Sequence, residues 1–165
     1  MQFRKLGRTE ISVSQVAFGA GPVSGLMTSS EAAQQRAVVQ RAIECGINWF
    51  DTAATYGAGQ SEASLGDALQ SLNVADQVHL ATKVRFMPED LADIRGHTIP
   101  SVNESLSRLR FEHVALLQLH NSITNTRGDE PTSITPQDVL GPGGVLEAFE
   151  ELRIAGKVQY LGLTG

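Results

Sequence analysis

The chain has 165 residues, 41% of them hydrophobic and 19% charged, with a formal net charge of −5. Those values fit one globular domain over residues 1–165, and the negative sign favours neither nucleic acid nor an anionic membrane surface. No apolar run approaches the roughly 18 residues of a membrane span, the opening MQFRKLGRTE has no apolar secretory core, and the lone Cys45 cannot close an internal disulfide; a reducing cytoplasm is the expected compartment.

Met1 to Val13 reads as a short hairpin, with Gln2-Phe3-Arg4 and Ile11-Ser12-Val13 alternating around Gly7 to Glu10. Val16-Ala17-Phe18 reads as a first buried strand ending in Gly19-Ala20-Gly21. Thr28-x-x-Glu31 has the form of a capping box. It would open a helix that carries Ala32, Ala33, Ala37, Val38, Ala42 and Ile43, with Gly46 as its C-terminal stop. Cys45, near that stop, reads as a small buried apolar residue. Ile47 to Phe50 forms strand two, and Ser61 is expected to cap a helix with Leu65, Leu69 and Leu72 on one stripe. Val78 to Lys83 is strand three, and a helix over about Ile99 to Leu109 follows. Val114 to Leu119 is strand four, followed by a polar loop from Asn121 to Asp138. A helix over about Val145 to Ala155 and a strand over Val158 to Leu163 complete the order. Strands apolar on both faces, alternating with helices, belong to a parallel sheet covered by those helices.

Three of these strands end in a titratable side chain: Asp51, Lys83 and His120, with Tyr56 five residues beyond Asp51. In a barrel of parallel strands such ends converge on one mouth, where chemistry is done. Each residue has a plainer reading. Asp51 can cap a turn, Tyr56 can pack on the surface, Lys83 can snorkel into water, and His120 can be a satisfied core histidine. Together they suit proton transfer coupled to hydride transfer at a carbonyl. A tyrosine hydroxyl can protonate the developing alkoxide, and a lysine ammonium close by favours its phenolate. A carboxylate keeps the lysine charged and aimed, and a histidine polarises the carbonyl. His79 and His113 start their strands on the opposite rim, and His97 falls in a loop, so all three read as structural or exposed. Gly19-Ala20-Gly21-Pro22-Val23-Ser24-Gly25 lacks the GxGxxG spacing of a dinucleotide fold. Glycine at Gly19 and Gly21 admits either a simple turn or the close approach of a flat ligand. Metal ligation by Asp51 and His120 is an open reading, for which two ligands on separate strands are weak support.

Phe50-Asp51-Thr52-Ala53, Tyr56-Gly57 and Gly59-x-Ser61-Glu62-x-x-Leu65-Gly66 closely resemble the signature of the aldo-keto reductase family. Lys5-Leu6-Gly7 with Val13-Ser14, Gly19-x-Gly21, Ala81-Thr82-Lys83, Leu117-x-Leu119-His120 and Gly156-Lys157-Val158 extend the likeness along the whole chain. The resemblance implies an α/β fold of the (β/α)8 TIM-barrel type, closed at its bottom by the hairpin. It implies a reductase that interconverts carbonyls and alcohols with NADP or NAD, the family's tetrad falling on Asp51, Tyr56, Lys83 and His120. The cofactor would be held near Gly19, Gly21, Asp51 and Thr164. Many members carry Ser-Asn where this chain has Thr164-Gly165, and Thr-Gly is similar to the branch of galactose- and aldose-type dehydrogenases, which suggests a small carbonyl or sugar substrate.

A full barrel needs about 250 residues, whereas this chain carries an N-terminal hairpin, about (β/α)4 and a fifth strand. Strands six to eight are therefore expected to be missing, with self-association through the open strand edges as the consequence. The alternative to an enzyme is a catalytically silent fragment or regulatory module of the same fold. The Asn121 to Asp138 loop is expected to border the substrate pocket and to be mobile without ligand.

Overall fold

Residues 1–164 are described here by a computed structural model; Gly165 lies outside the described residues. Strand β1 (Phe3–Lys5) pairs antiparallel with β2 (Ser12–Ser14) as the expected hairpin. The parallel sheet follows in chain order: β3 (Phe18–Gly19), β4 (Trp49–Asp51), β5 (His79–Val84), β6 (Val114–Leu119) and β7 (Val158–Leu163). Helices α1 (Ala32–Glu44), α2 (Gln60–Ser71), α3 (Ile94–Leu109), a short α4 (Pro136–Leu140) and α5 (Val145–Ile154) connect them. This is the first part of a (β/α) barrel.

Because side chains alternate along a strand, the register separates two faces. Phe50, Leu80, Val84, Leu117 and Leu119 point outward into one core with Leu65, Leu69, Val102, Leu106 and Phe149 from the helices. Each such burial is worth roughly 1.5–3 kcal/mol. Inward, Gly19, Asp51, Ala81, Leu116 and Tyr160 pair across the sheet as one layer. The Tyr160 hydroxyl accepts from the Glu10 amide at 3.2 Å, so the hairpin reaches the bottom of this face. Asn48 holds it there, accepting from the Ser14 amide at 2.8 Å and donating to the Ser12 carbonyl at 2.9 Å. Helices α2 and α3 approach closely at Gly66, where an added Cβ would sit 2.4 Å from the Leu109 carbonyl oxygen.

Several boundaries differ from expectation. The first strand of the sheet is Phe18–Gly19, and Val16 is 53% exposed. The chain turns before it, where the Ser14 hydroxyl donates to the Val16 carbonyl at 2.6 Å. Thr28 does not cap α1; it lies in a 3-10 turn, Leu26–Thr28. The N-cap of α1 is Glu31, which makes no side-chain capping bond, and Gln35 instead ties the helix to the preceding turn, its side-chain amide donating to the Leu26 and Ser29 carbonyls at 3.0 and 2.9 Å. Cys45 is exposed rather than buried. The buried residues of α1 are Gln35, Val39 and Ala42, and Cys45 is the C-cap, at the exposed end where the chain turns at Gly46 (φ 83°). Helix α3 begins at Ile94, with Pro100 inside it, because Asp93 caps it by accepting from the Gly96 amide at 2.8 Å. His97 is therefore helical, and its Nδ1 lies 3.0 Å from Asp90.

The polar stretch after His120 carries more structure than its composition implies. Ile123 bridges Ile134, which is fully buried. Asn121 is buried too, accepting from the Phe86 amide and donating to the Phe86 and Thr132 carbonyls. No helix among the described residues is long and apolar enough to cross a membrane.

Candidate active site

Asp51 ends β4, Lys83 is the penultimate residue of β5, and His120 directly follows β6. The register places Lys83 opposite Gln118, and all four of Asp51, Lys83, Gln118 and His120 fall on the inward face. Tyr56 reaches the same place from the turn after β4. Its amide donates to the Ala53 carbonyl at 3.1 Å, and Gly57, Ala58 and Gly59 then take left-handed φ of 61°, 51° and 89°. Glycine suits that turn doubly at Gly57, where a Cβ would also meet the Thr28 methyl at 2.8 Å.

Lys83 is the hub. Its side chain is 6% exposed, and Nζ pairs with Asp51 Oδ1. It also donates to the Thr52 carbonyl at 2.8 Å and to the Tyr56 hydroxyl at 3.4 Å. The Tyr56 ring stands edge-on to the His120 imidazole, with centroids 5.7 Å apart. Three charged or polar partners around a buried ammonium explain how it stays inside. His120 Nδ1 lies 3.5 Å from the Thr55 hydroxyl. Burial, then the positive charges of Arg85 and Lys83, hold His120 below its ordinary value of 6.5, with Asp51 opposing. The imidazole is therefore neutral near pH 7.

All four proposed catalytic residues come together. The glycines are placed beside them: Gly19 pairs with Asp51, and nothing lies within 4 Å of where its Cβ would be. At Gly21 the nearest atom to that position is Tyr56 Cε2, at 3.9 Å. Neither glycine is demanded by packing: the Cβ position at Gly19 is open, and the one at Gly21 is in ordinary contact with the Tyr56 ring. Thr164 follows β7, its amide and hydroxyl donating to the Leu119 carbonyl at 2.9 and 3.2 Å. Gly165, its partner in the Thr-Gly pair, lies outside the described residues. Among the described residues there is no cluster of three metal-ligating side chains.

The sequence reading missed the supports. Gln118 donates to Asp51 Oδ2 at 3.3 Å, holding the carboxylate from the side away from Lys83. Its signal was position: two residues before His120 on a strand, hence on the same face. Behind the site, Ser61 does not cap α2, whose N-cap is Gly59. Its hydroxyl donates to the Ala20 carbonyl at 2.7 Å and is bonded at 2.9 Å to Thr52 Oγ1. Glu62 is fully buried, accepting from Thr82 Oγ1 at 2.5 Å and from Arg108 Nε at 2.7 Å. An added Cβ at Gly59 would lie 2.7 Å from Arg108 Nε, so glycine there lets the guanidinium reach Glu62.

Comparison with known proteins agrees with this architecture. A model described as "Aldo/keto reductase family" matches residues 15–165. L-galactose dehydrogenase of Arabidopsis thaliana is 32% identical over 166 residues, covering 100% of this chain and 49% of that protein. Pyridoxal 4-dehydrogenase of Microbacterium luteolum is 29% identical, covering 97% of this chain and 54% of its own. The solved holo form of the aldo-keto reductase AKR11C1 from Bacillus halodurans superposes with a TM-score of 0.72 at 30% identity, covering 99% of this chain and 50% of that one. The chain spans about half the length of the curated relatives it matches.

Proposed function

Because this chain belongs to the aldo/keto reductase family, we propose that it carries the proton-transfer half of an NADP- or NAD-linked carbonyl reductase, acting on small aldehydes, ketones or aldoses. The observation that carries the reading is the contact of one buried ammonium, Lys83, with both the Asp51 carboxylate and the Tyr56 hydroxyl. The open space at Gly19, which pairs with Asp51, fits a flat nicotinamide ring, and Gly21 and Thr164 are its further proposed contacts. That cofactor supplies the hydride on reduction and takes it on oxidation.

The chain's own residues do the rest. The Tyr56 hydroxyl gives its proton to the carbonyl oxygen as charge develops there, a contribution of roughly 10²–10⁴-fold. Lys83, 3.4 Å away, favours the negative charge then left on the phenol oxygen. Asp51 keeps the ammonium charged and aimed, and Gln118 keeps Asp51 aimed. His120, neutral and edge-on to Tyr56, orients the carbonyl through a ring N–H.

The test is absorbance at 340 nm in the full-length protein with NADPH or NADH and a panel of aromatic aldehydes and aldoses. Consumption of neither cofactor with any substrate overturns the reading.

A further inference from the structure

Arg85 stands one layer above Lys83. Lys83 pairs with Gln118 and Val84 with Leu119, so the next register position sets Arg85 across from His120. The backbone holds that approach, the His120 amide donating to the Val84 carbonyl at 2.8 Å. Alternation then turns Arg85 to the same inward face as Lys83, while Val84 goes to the core. Arg85 Nε donates to the His120 carbonyl at 3.0 Å, which fixes the guanidinium plane at the rim of the site.

The rest of that guanidinium is exposed and has no carboxylate among the described residues. Arg95, Arg108, Arg110 and Arg127 each have one. The carboxylate of the site, Asp51, is taken by Lys83 and Gln118. With His120 neutral, Lys83 and Asp51 cancel and Arg85 leaves the mouth at one net positive charge. The chain as a whole carries −5. A planar, fixed, unpaired guanidinium is matched to an oxyanion, which it can hold through two parallel N–H bonds.

We propose that Arg85 is a substrate-binding residue that selects carbonyl compounds bearing a carboxylate. This rests on the reductase reading above. The experiment compares kcat/KM for 4-formylbenzoate and 4-formylbenzamide in the full-length protein, two aldehydes of like shape that differ in charge. We expect a preference of roughly tenfold or more for the carboxylate, the size of one hydrogen-bonded charge. The preference should fall to about one in Arg85→Gln, through KM, and return in part in Arg85→Lys. Turnover of both aldehydes without preference, or a preference that survives Arg85→Gln, overturns the proposal and leaves the reductase reading standing.

A second readout does not need turnover. Titration with benzoate should move the Arg85 Nε–H resonance and raise the titration midpoint of His120, by neutralising one of the two cations that lower it. Benzamide should do neither, and Arg85→Gln should abolish the benzoate effect. If no aldehyde is turned over, the reductase reading fails and this titration alone decides whether Arg85 binds the anion. Wild-type protein in which benzoate moves neither resonance overturns it.

Discussion

Replacing Arg108 by leucine tests whether the buried polar network behind Lys83 is structural support or incidental contact. Glu62 is fully buried and has two partners, the Arg108 guanidinium at 2.7 Å and the Thr82 hydroxyl at 2.5 Å. In Arg108→Leu the carboxylate keeps only the hydroxyl. Breaking a buried pair by removing one partner costs roughly 3–5 kcal/mol. The Arg108 side chain is 28% exposed, so water can follow along its path, and we expect about 3 kcal/mol. Arg110, which pairs with Asp67 where both are more than half exposed, provides the control: Arg110→Leu should cost under about 1 kcal/mol. Glu62→Gln placed in the Arg108→Leu background should recover much of the loss, because it removes the stranded charge. The assay is urea unfolding of the full-length proteins followed by circular dichroism. Equal losses for Arg108→Leu and Arg110→Leu would refute the reasoning.

Tyr56→Phe keeps the ring against His120 and removes the proton donor. The expected result is a fall in kcat of roughly 10²–10⁴-fold with little change in cofactor affinity, and wild-type turnover would remove Tyr56 from the mechanism. Lys83→Met should lower kcat more than Asp51→Asn, since the second variant keeps the ammonium and its bond to the Thr52 carbonyl; the reverse order in steady-state rates would contradict Lys83 as the hub. Arg127, assisted by Thr135, holds the Asp138 carboxyl at about 2, below its ordinary 3.8. Its folded value is depressed, so the stability it contributes is present above about pH 4 and lost as pH falls toward 2. The gap is worth about 2 kcal/mol, less for the half-exposed Arg127. Urea midpoints at pH 5 and pH 3 should converge in Asp138→Asn relative to wild type; an unchanged difference would show that Asp138 does not contribute.

The parts of this fold legible in the sequence were those where periodicity and a stop signal coincide. Val114–Leu119 falls where its apolar run begins and ends, because burial decides it, and Val158–Leu163 falls between the Gly156 stop of α5 and the end of the run. The cluster proposed as catalytic was legible as a spatial cluster for a related reason: Asp51, Lys83 and His120 each fall at the end of an apolar strand. What stayed hidden depended on side chains reaching across the chain. Gln35 tying α1 back to the Leu26 and Ser29 carbonyls, Asp93 starting α3 ahead of Pro100, and Gly59 opening a path for Arg108 each act through a partner that local pattern does not name. Cys45 failed similarly, since its exposure goes with its place at the C-terminal end of α1 rather than with its own apolar character.

The density of polar residues in Asp51-Thr52 and Thr82-Lys83 has one physical cause. Each strand end must give one side chain to the mouth and the next to the helices, because neighbours alternate. Asp51 and Lys83 face inward and meet. Thr52 and Thr82 face outward, into helix α2, where an unpartnered hydroxyl would carry a desolvation cost. They are satisfied by successive residues of one helical turn, Ser61 and Glu62. That fixes more than polarity. A slip of one residue in β5 would send Lys83 into the core and Thr82 into the mouth, and a slip in β4 would do the same to Asp51 and Thr52. The slip in β5 would also cost Glu62 its bond from Thr82, so the slipped state loses the burial match and part of the polar match together. The two threonine–helix bonds thus hold the register on which the Lys83–Asp51–Tyr56 geometry depends.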